Sequence, residues 1–190
     1  MVDAKPPTAA SSLLFLREEE IRAAQDLLFF AYRDFTNVAD VILVELGLGR
    51  AHHRAMHFIG HNPSITVTEL LAILRITKQS LARVLGTLIA QGYVSQAQGR
   101  IDRRQRLLTL TPAGQVLERR LFERQRERLV GAYRESGPAS VEGFRRVMRG
   151  IMNDAARAYM DRRSQDGARS DASPGARPGA SPAAGAARRA

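Results

Sequence analysis

Residues 64–114, SITVTELLAILRITKQSLARVLGTLIAQGYVSQAQGRIDRRQRLLTLTPAG, constrain this chain more than any other stretch. Thr66 with Glu69 three residues on is a capping-box pattern, so a short helix should start there and run to about Leu74. Arg75-Ile76 reads as a break, and Thr77 is a suitable cap for the next helix. In that second helix Leu81, Val84, Leu85, Leu88 and Ile89 fall at the spacing of one buried stripe. Lys78, Gln79, Arg83 and Thr87 are left on the outer face. Two helices joined by a tight turn, the second with a polar outer face, match the helix-turn-helix whose second helix enters a DNA major groove.

Two strand-like segments follow, Tyr93 to Ala97 and Gln105 to Thr111. The tip between them contains Gly99 and carries Arg100, Asp102, Arg103 and Arg104. A basic hairpin directly after a helix-turn-helix is a wing. Thr111-Pro112 then opens another helix, Thr as cap and Pro at its first position.

The segment Asp102-x-Arg104, five residues, Leu110-Thr111, two residues, Gly114 resembles the wing signature of the MarR (multiple antibiotic resistance regulator) family. The resemblance extends over roughly residues 18 to 162. Within the family, AYRDFT, GRAHHRAMHFIG and RITKQSLARVL resemble the PetP-like branch of alphaproteobacterial regulators. The resemblance implies a mainly α fold with a small β-wing, in which long terminal helices flank a winged helix-turn-helix. It also implies a homodimer on palindromic double-stranded DNA, usually a repressor and often released by a small ligand.

Charge supports this reading. The chain carries 29 Lys and Arg against 19 Asp and Glu, a formal +10. Residues 50 to 114 hold nine of those cations and only two acids, Glu69 and Asp102, so +7 sits in one third of the sequence. Such concentration is an electrostatic footprint for phosphates. With no cysteine, disulfides, thiolate metal sites and cysteine-based redox sensing are excluded. The short apolar run at Ser11 to Leu16 lacks a basic leader, and no run approaches a membrane span, so a cytoplasmic protein is expected.

Five segments are expected in order. Residues 1–12, small and proline-containing, should be disordered. Residues 13–49 should form a dimerisation helix opened by Glu18, Glu19 and Glu20 at the positive end of its dipole. Ile21, Leu28, Phe35 and Ile42 repeat there every seven residues, with Ala24, Ala31 and Val38 as a companion row. Residues 50–114 make the DNA-binding domain, and residues 115–163 the C-terminal dimerisation helices. In the latter, Ser136-Gly137-Pro138 should interrupt a charged connector. Val141, Phe144, Met148, Ile151, Ala155 and Ala158 then make a coiled-coil-like seam in one helix from Ser140 to Arg162. Ile21 and Leu28 with that seam leave more apolar stripe than a small winged domain can cover. Residues 164–190, rich in Ala, Pro, Gly, Ser and Arg, should be a disordered tail.

The second helix offers suitable groups for base edges and phosphates. Gln79 can pair bidentately with adenine and Arg83 with guanine, while Thr77, Lys78, Ser80 and Thr87 can meet phosphate or base. The resemblance gives Arg104 the role of the wing arginine that reaches a minor groove. Asp102 is read as orienting it, because a bare carboxylate is repelled by phosphates. Arg100 and Arg103 should add backbone contacts. The resemblance also implies an effector pocket, for which Phe30, Tyr32, Phe35 and Met56 are the candidate walls.

Other chemistries lack their parts. There is no phosphate loop and no nucleophile elbow, and His53-x-x-x-His57 has Arg54 where a metalloprotease helix needs Glu. No enzyme activity and no cofactor are expected. An architectural DNA binder without an effector is the competing class. His53, His57 and His61 are spaced by four and should share one helix face, an arrangement open to a metal or haem. His61 at the helix end and His52 and His53 as hydrogen-bonding groups are the structural alternative. No metal is assigned, and Glu45 is the carboxylate considered as a partner.

Overall fold

The computed structural model describes residues 11–171, and the disorder expected of residues 1–10 and 172–190 lies outside them. A short 3-10 helix, Ser11–Leu16, precedes α1 (Glu18–Glu45), so Ser11 and Ser12 belong to an element and not to a disordered end. Then come α2 (Arg50–His61), β1 (Ile65–Thr66), α3 (Val67–Leu74), α4 (Lys78–Ala90), β2 (Val94–Gln98) and β3 (Arg106–Leu110). The chain closes with α5 (Pro112–Ile151) and α6 (Asp154–Asp171). The described residues divide into two compact units, one ending at Pro138 and the other beginning at Ala139.

In the first unit the caps are those the sequence specifies. Thr66 Oγ1 accepts from Glu69 N at 3.1 Å, and Glu69 Oε2 accepts from Thr66 N at 2.8 Å. These bonds, from the Thr66 backbone first and its hydroxyl second, hold the Glu69 carboxyl below the usual carboxylate range. Thr77 Oγ1 accepts from Ser80 N at 3.1 Å and opens α4 in the same way. Between these helices Arg75 closes α3 in the left-handed region, φ 51°, a conformation that costs a non-glycine residue about 1 kcal/mol.

The core of this unit lies beneath α3 and α4. Leu81, Val84, Leu85 and Leu88 of α4 are buried with Leu70 and Leu74 of α3, and with Ala55, Met56 and Ile59 of α2. Each fully buried Leu or Ile contributes about 1.5–3 kcal/mol. Ile89 departs from the expected stripe and stays exposed, because it lies at the edge of the arc that the neighbouring elements cover. Only the C-terminal end of the α1 stripe is covered: Ala39, Ile42 and Leu43 are buried, while Ile21, Leu28 and Phe29 remain exposed.

The sheet has three antiparallel strands in the order β1-β3-β2. Val94 pairs with Leu110 and Gln98 with Arg106 along the hairpin, and Ile65 pairs with Leu108 on the other edge of β3. The hairpin agrees with the sequence reading to within a residue at most ends. β1 was not expected, since two residues carry no periodicity and their pairing comes from a strand more than forty positions away.

α5 starts at Pro112 under the Thr111 cap, whose Oγ1 accepts from Gly114 N at 3.1 Å and donates to Gly92 O at 2.6 Å. Its backbone leaves helical geometry at Gly137, φ 74° and ψ 167°, just before Pro138, where the sequence placed an interruption.

Within the second unit the expected single helix from Ser140 to Arg162 is two. α5 ends at Ile151 and α6 begins at Asp154. Asn153 Oδ1 accepts from Ala156 N at 3.0 Å, so a side-chain cap restarts the helix. Val141, Phe144, Met148 and Ile151 therefore share one helix and Ala155 belongs to another. Arg149 and Asp161 form an ion pair between the two. α6 also continues past Ser164 to Asp171, into the expected tail.

Candidate nucleic-acid interface

α4 presents Thr77, Lys78, Gln79 and Arg83 to solvent while its opposite side is sealed in the core. Thr77 and Ser80 are partly committed: besides the cap, Thr77 Oγ1 donates to Ser80 Oγ at 2.9 Å. Thr87 is half-buried and its hydroxyl donates to Arg83 O at 3.2 Å. Lys78, Gln79 and Arg83 are thus the side chains of this face whose polar ends project outward.

The wing tip is a built turn. Gly99 N donates to Gln105 O at 3.0 Å and Gln105 N to Asp102 O at 3.1 Å. A Cβ on Gly99 would lie 2.6 Å from Asp102 O, so the tip closes only around glycine. Asp102 Oδ1 accepts from the backbone N–H of Arg104 at 2.9 Å. The carboxylate therefore positions Arg104 through its main chain.

Among the described residues, no carboxylate forms an ion pair with Lys78, Arg83, Arg100, Arg103, Arg104 or Arg106. Arg50 and Arg54 are used otherwise. Arg50 bonds Asp40 at 2.7 and 2.8 Å and Asn37 at 2.9 Å, and Arg54 donates to Leu74 O at 3.2 Å. Two residues of the wing escaped the sequence reading. Ile101 is fully exposed at its tip, and Arg106 stands exposed at the start of β3. An apolar side chain inside a charge run was the available signal for Ile101.

The candidate effector residues differ in their exposure. Met56 is completely buried in the core, packed there as any helix-stripe methionine would be. Phe30 and Tyr32 are exposed, Phe30 lying under the Arg33 guanidinium at 4.8 Å, and Phe35 is half-buried. A cavity of about 340 Å³ instead opens between α1 and α5, lined by Val38, Val41, Ile42, Arg124, Glu127 and Arg128.

The histidines divide. His52 Nδ1 accepts from Gly49 N at 3.0 Å and completes the start of α2. His53 is half-buried, and that burial, with His57 beside it, lowers its pKa. His57 and His61 stack with ring centroids 4.2 Å apart, and the carboxylate that faces them is Glu118 of α5, not Glu45. Glu45 lies 3.9 Å from Arg120 instead. The His57 ring holds the Glu118 carboxyl below the ordinary range, against the burial that would raise it.

Comparison with known proteins agrees with this architecture. Residues 46–105 match a family model described as MarR family. The chain is 50% identical over 159 residues to the HTH-type transcriptional regulator PetP of Rhodobacter capsulatus, covering 84% of this chain and 95% of that protein. Among solved structures, a MarR protein from Peptoclostridium difficile superposes with a TM-score of 0.60 at 18% identity, covering 75% of this chain and 90% of that one. A mutant MarR from E. coli complexed with operator DNA gives 0.56 at 19% identity, covering 74% and 99%. Among the described residues, no helix is long and apolar enough to cross a membrane. With half of the 159 aligned residues identical to those of a regulator that it covers almost end to end, the chain belongs to the MarR family of DNA-binding transcriptional regulators, in its PetP-like branch.

Proposed function

We propose that this protein is a homodimeric cytoplasmic repressor that binds an inverted-repeat operator and releases it on binding a small ligand. The observation that carries the reading is the conjunction of the outward α4 face with a basic wing whose arginines form no ion pair with a carboxylate among the described residues. Gln79 and Arg83 read base edges in the major groove, with Lys78 and the cap residues Thr77 and Ser80 on flanking phosphates. Arg104 enters the minor groove and Arg100 and Arg103 hold the backbone. The E. coli protein of like fold was solved with operator DNA, which supports duplex DNA as the partner.

A second copy of the chain covers the apolar surface left by the first helix and by residues 141–151. Phe29 is 72% exposed and Ile151 61% exposed, and large apolar areas of that kind on a single chain mark an interface. The cavity beside Val38 and Arg124 is the effector site. Its apolar wall, with Arg124 and Arg128 outnumbering Glu127, suits an amphipathic anion.

Selection from random duplexes with the full-length protein tests the proposal. Enrichment of an inverted repeat with half-site centres about 10 base pairs apart, or a multiple of that, is the expected result. One affinity for every duplex would replace it with an architectural, sequence-blind role.

A further inference from the structure

We infer that the end of α2 and the first turns of α5 form a divalent-metal site, with His57, His61 and Glu118 as ligands and a zinc-class ion as occupant. One ligand atom from each of the three lies within 4.8 Å of the others. A tetrahedral ion with bonds of about 2.0–2.2 Å sets its ligands about 3.4 Å apart, so closure needs only small side-chain rotations.

Three features of the fold prepare the geometry. His57 and His61 are one helical turn apart on the same face of α2, which brings their rings to 4.2 Å. His61 Nδ1 lies 2.6 Å from the carbonyl oxygen of His57. A proton held there fixes the tautomer whose Nε2 carries the lone pair, the arrangement common to metal-ligating imidazoles. Gly60, between the two histidines, is where α5 approaches: a Cβ at that position would meet Glu118 Cγ at 3.7 Å and Leu110 Cδ1 at 3.0 Å. The Glu118 stem thus runs past α2 at van der Waals distance from this position, and the tight neighbour is Leu110.

The donor set selects the ion. Two imidazoles and one carboxylate favour zinc, cobalt or nickel over magnesium or calcium, which take oxygen ligands. Three protein ligands leave a fourth position for water. The consequence is regulatory, since the ion would tie α2 of the helix-turn-helix scaffold to the helix that leaves the wing. This site is separate from the cavity beside Val38 and does not depend on the DNA reading.

The test uses tag-free full-length protein, stripped of metal and titrated with cobalt(II) and then zinc. The expected result is visible absorption of four-coordinate intensity saturating at one cobalt per chain and bleached by zinc. His57→Gln and Glu118→Gln should each weaken binding about tenfold or more, as loss of even an outer-shell partner commonly does. His52→Ala should leave it unchanged. Absence of saturable absorption in the wild type, a weak six-coordinate spectrum, or equal affinity in the His57 and Glu118 variants would overturn the site. None of these readouts involves DNA, so their failure is distinct from failure of operator binding.

Discussion

A side chain on Gly114 would place its first carbon 2.0 Å from the carbonyl oxygen of Tyr93. That oxygen already accepts the Thr111 N–H at 3.0 Å, so the start of α5 is pressed against the base of the wing. Gly114→Ala gains helix propensity of about 1 kcal/mol but forces backbone apart, and should destabilise the protein by about 3 kcal/mol or more. Urea unfolding followed by circular dichroism measures it, and a midpoint equal to wild type would contradict the packing.

The capping box at α3 carries a pH dependence. Because the Glu69 pKa is lowered on folding, its contribution is present above the ordinary value of 4.5 and is lost as pH falls through the lower folded value. Gln at the same position keeps the reciprocal hydrogen bond without titrating. Glu69→Gln should therefore show a smaller drop in melting temperature between about pH 7 and pH 3 than wild type. Parallel melting curves for the two proteins decide the point.

Replacement of the two arginines separates the α4 face from the wing. Arg83→Ala should cost about 1–3 kcal/mol of operator affinity and relax the preference at one base pair. Arg104→Ala should weaken binding to all sequences and flatten the salt dependence. Fluorescence anisotropy across a salt series reads both effects; an unchanged slope for Arg104→Ala would remove the wing from the mechanism.

Charge placed in either apolar stripe should separate the copies. Leu28→Asp and Ile151→Asp each bury a carboxylate at an interface, at a cost of several kcal/mol. Sedimentation velocity should return a monomer, with the winged unit still folded by circular dichroism. A dimer surviving both substitutions would put the interface on another surface.

How much could be read from the chain alone depended on the range of the interactions. The caps at Thr66 and Thr77 are bonds three residues long, so spacing specifies them completely. The α4 stripe was legible because four residues are sealed by the same neighbours, whereas Ile89, one step round the helix, is not. The Asn153 restart was legible in principle, since an Asn followed by Asp is a helix-start signal, but the seam spacing on either side runs through it unbroken. β1 and the Glu118 approach to His57 were not legible. Both join residues more than forty positions apart, and nothing local distinguishes Glu118 from its neighbours in a charged helix.

β3 is the middle strand of the sheet, bonded to β2 on one side and to the two residues that immediately precede α3 on the other. The hairpin is consequently a lever whose fulcrum is the doorstep of the helix-turn-helix. Ser64 N, donating to Leu108 O at 3.0 Å, is one of the pins. On the proposed reading, the groove-reading helix and the wing are joined through this one sheet and should act as a single caliper. A base pair inserted within one half-site should then cost both contacts together, which operator variants with such an insertion would measure.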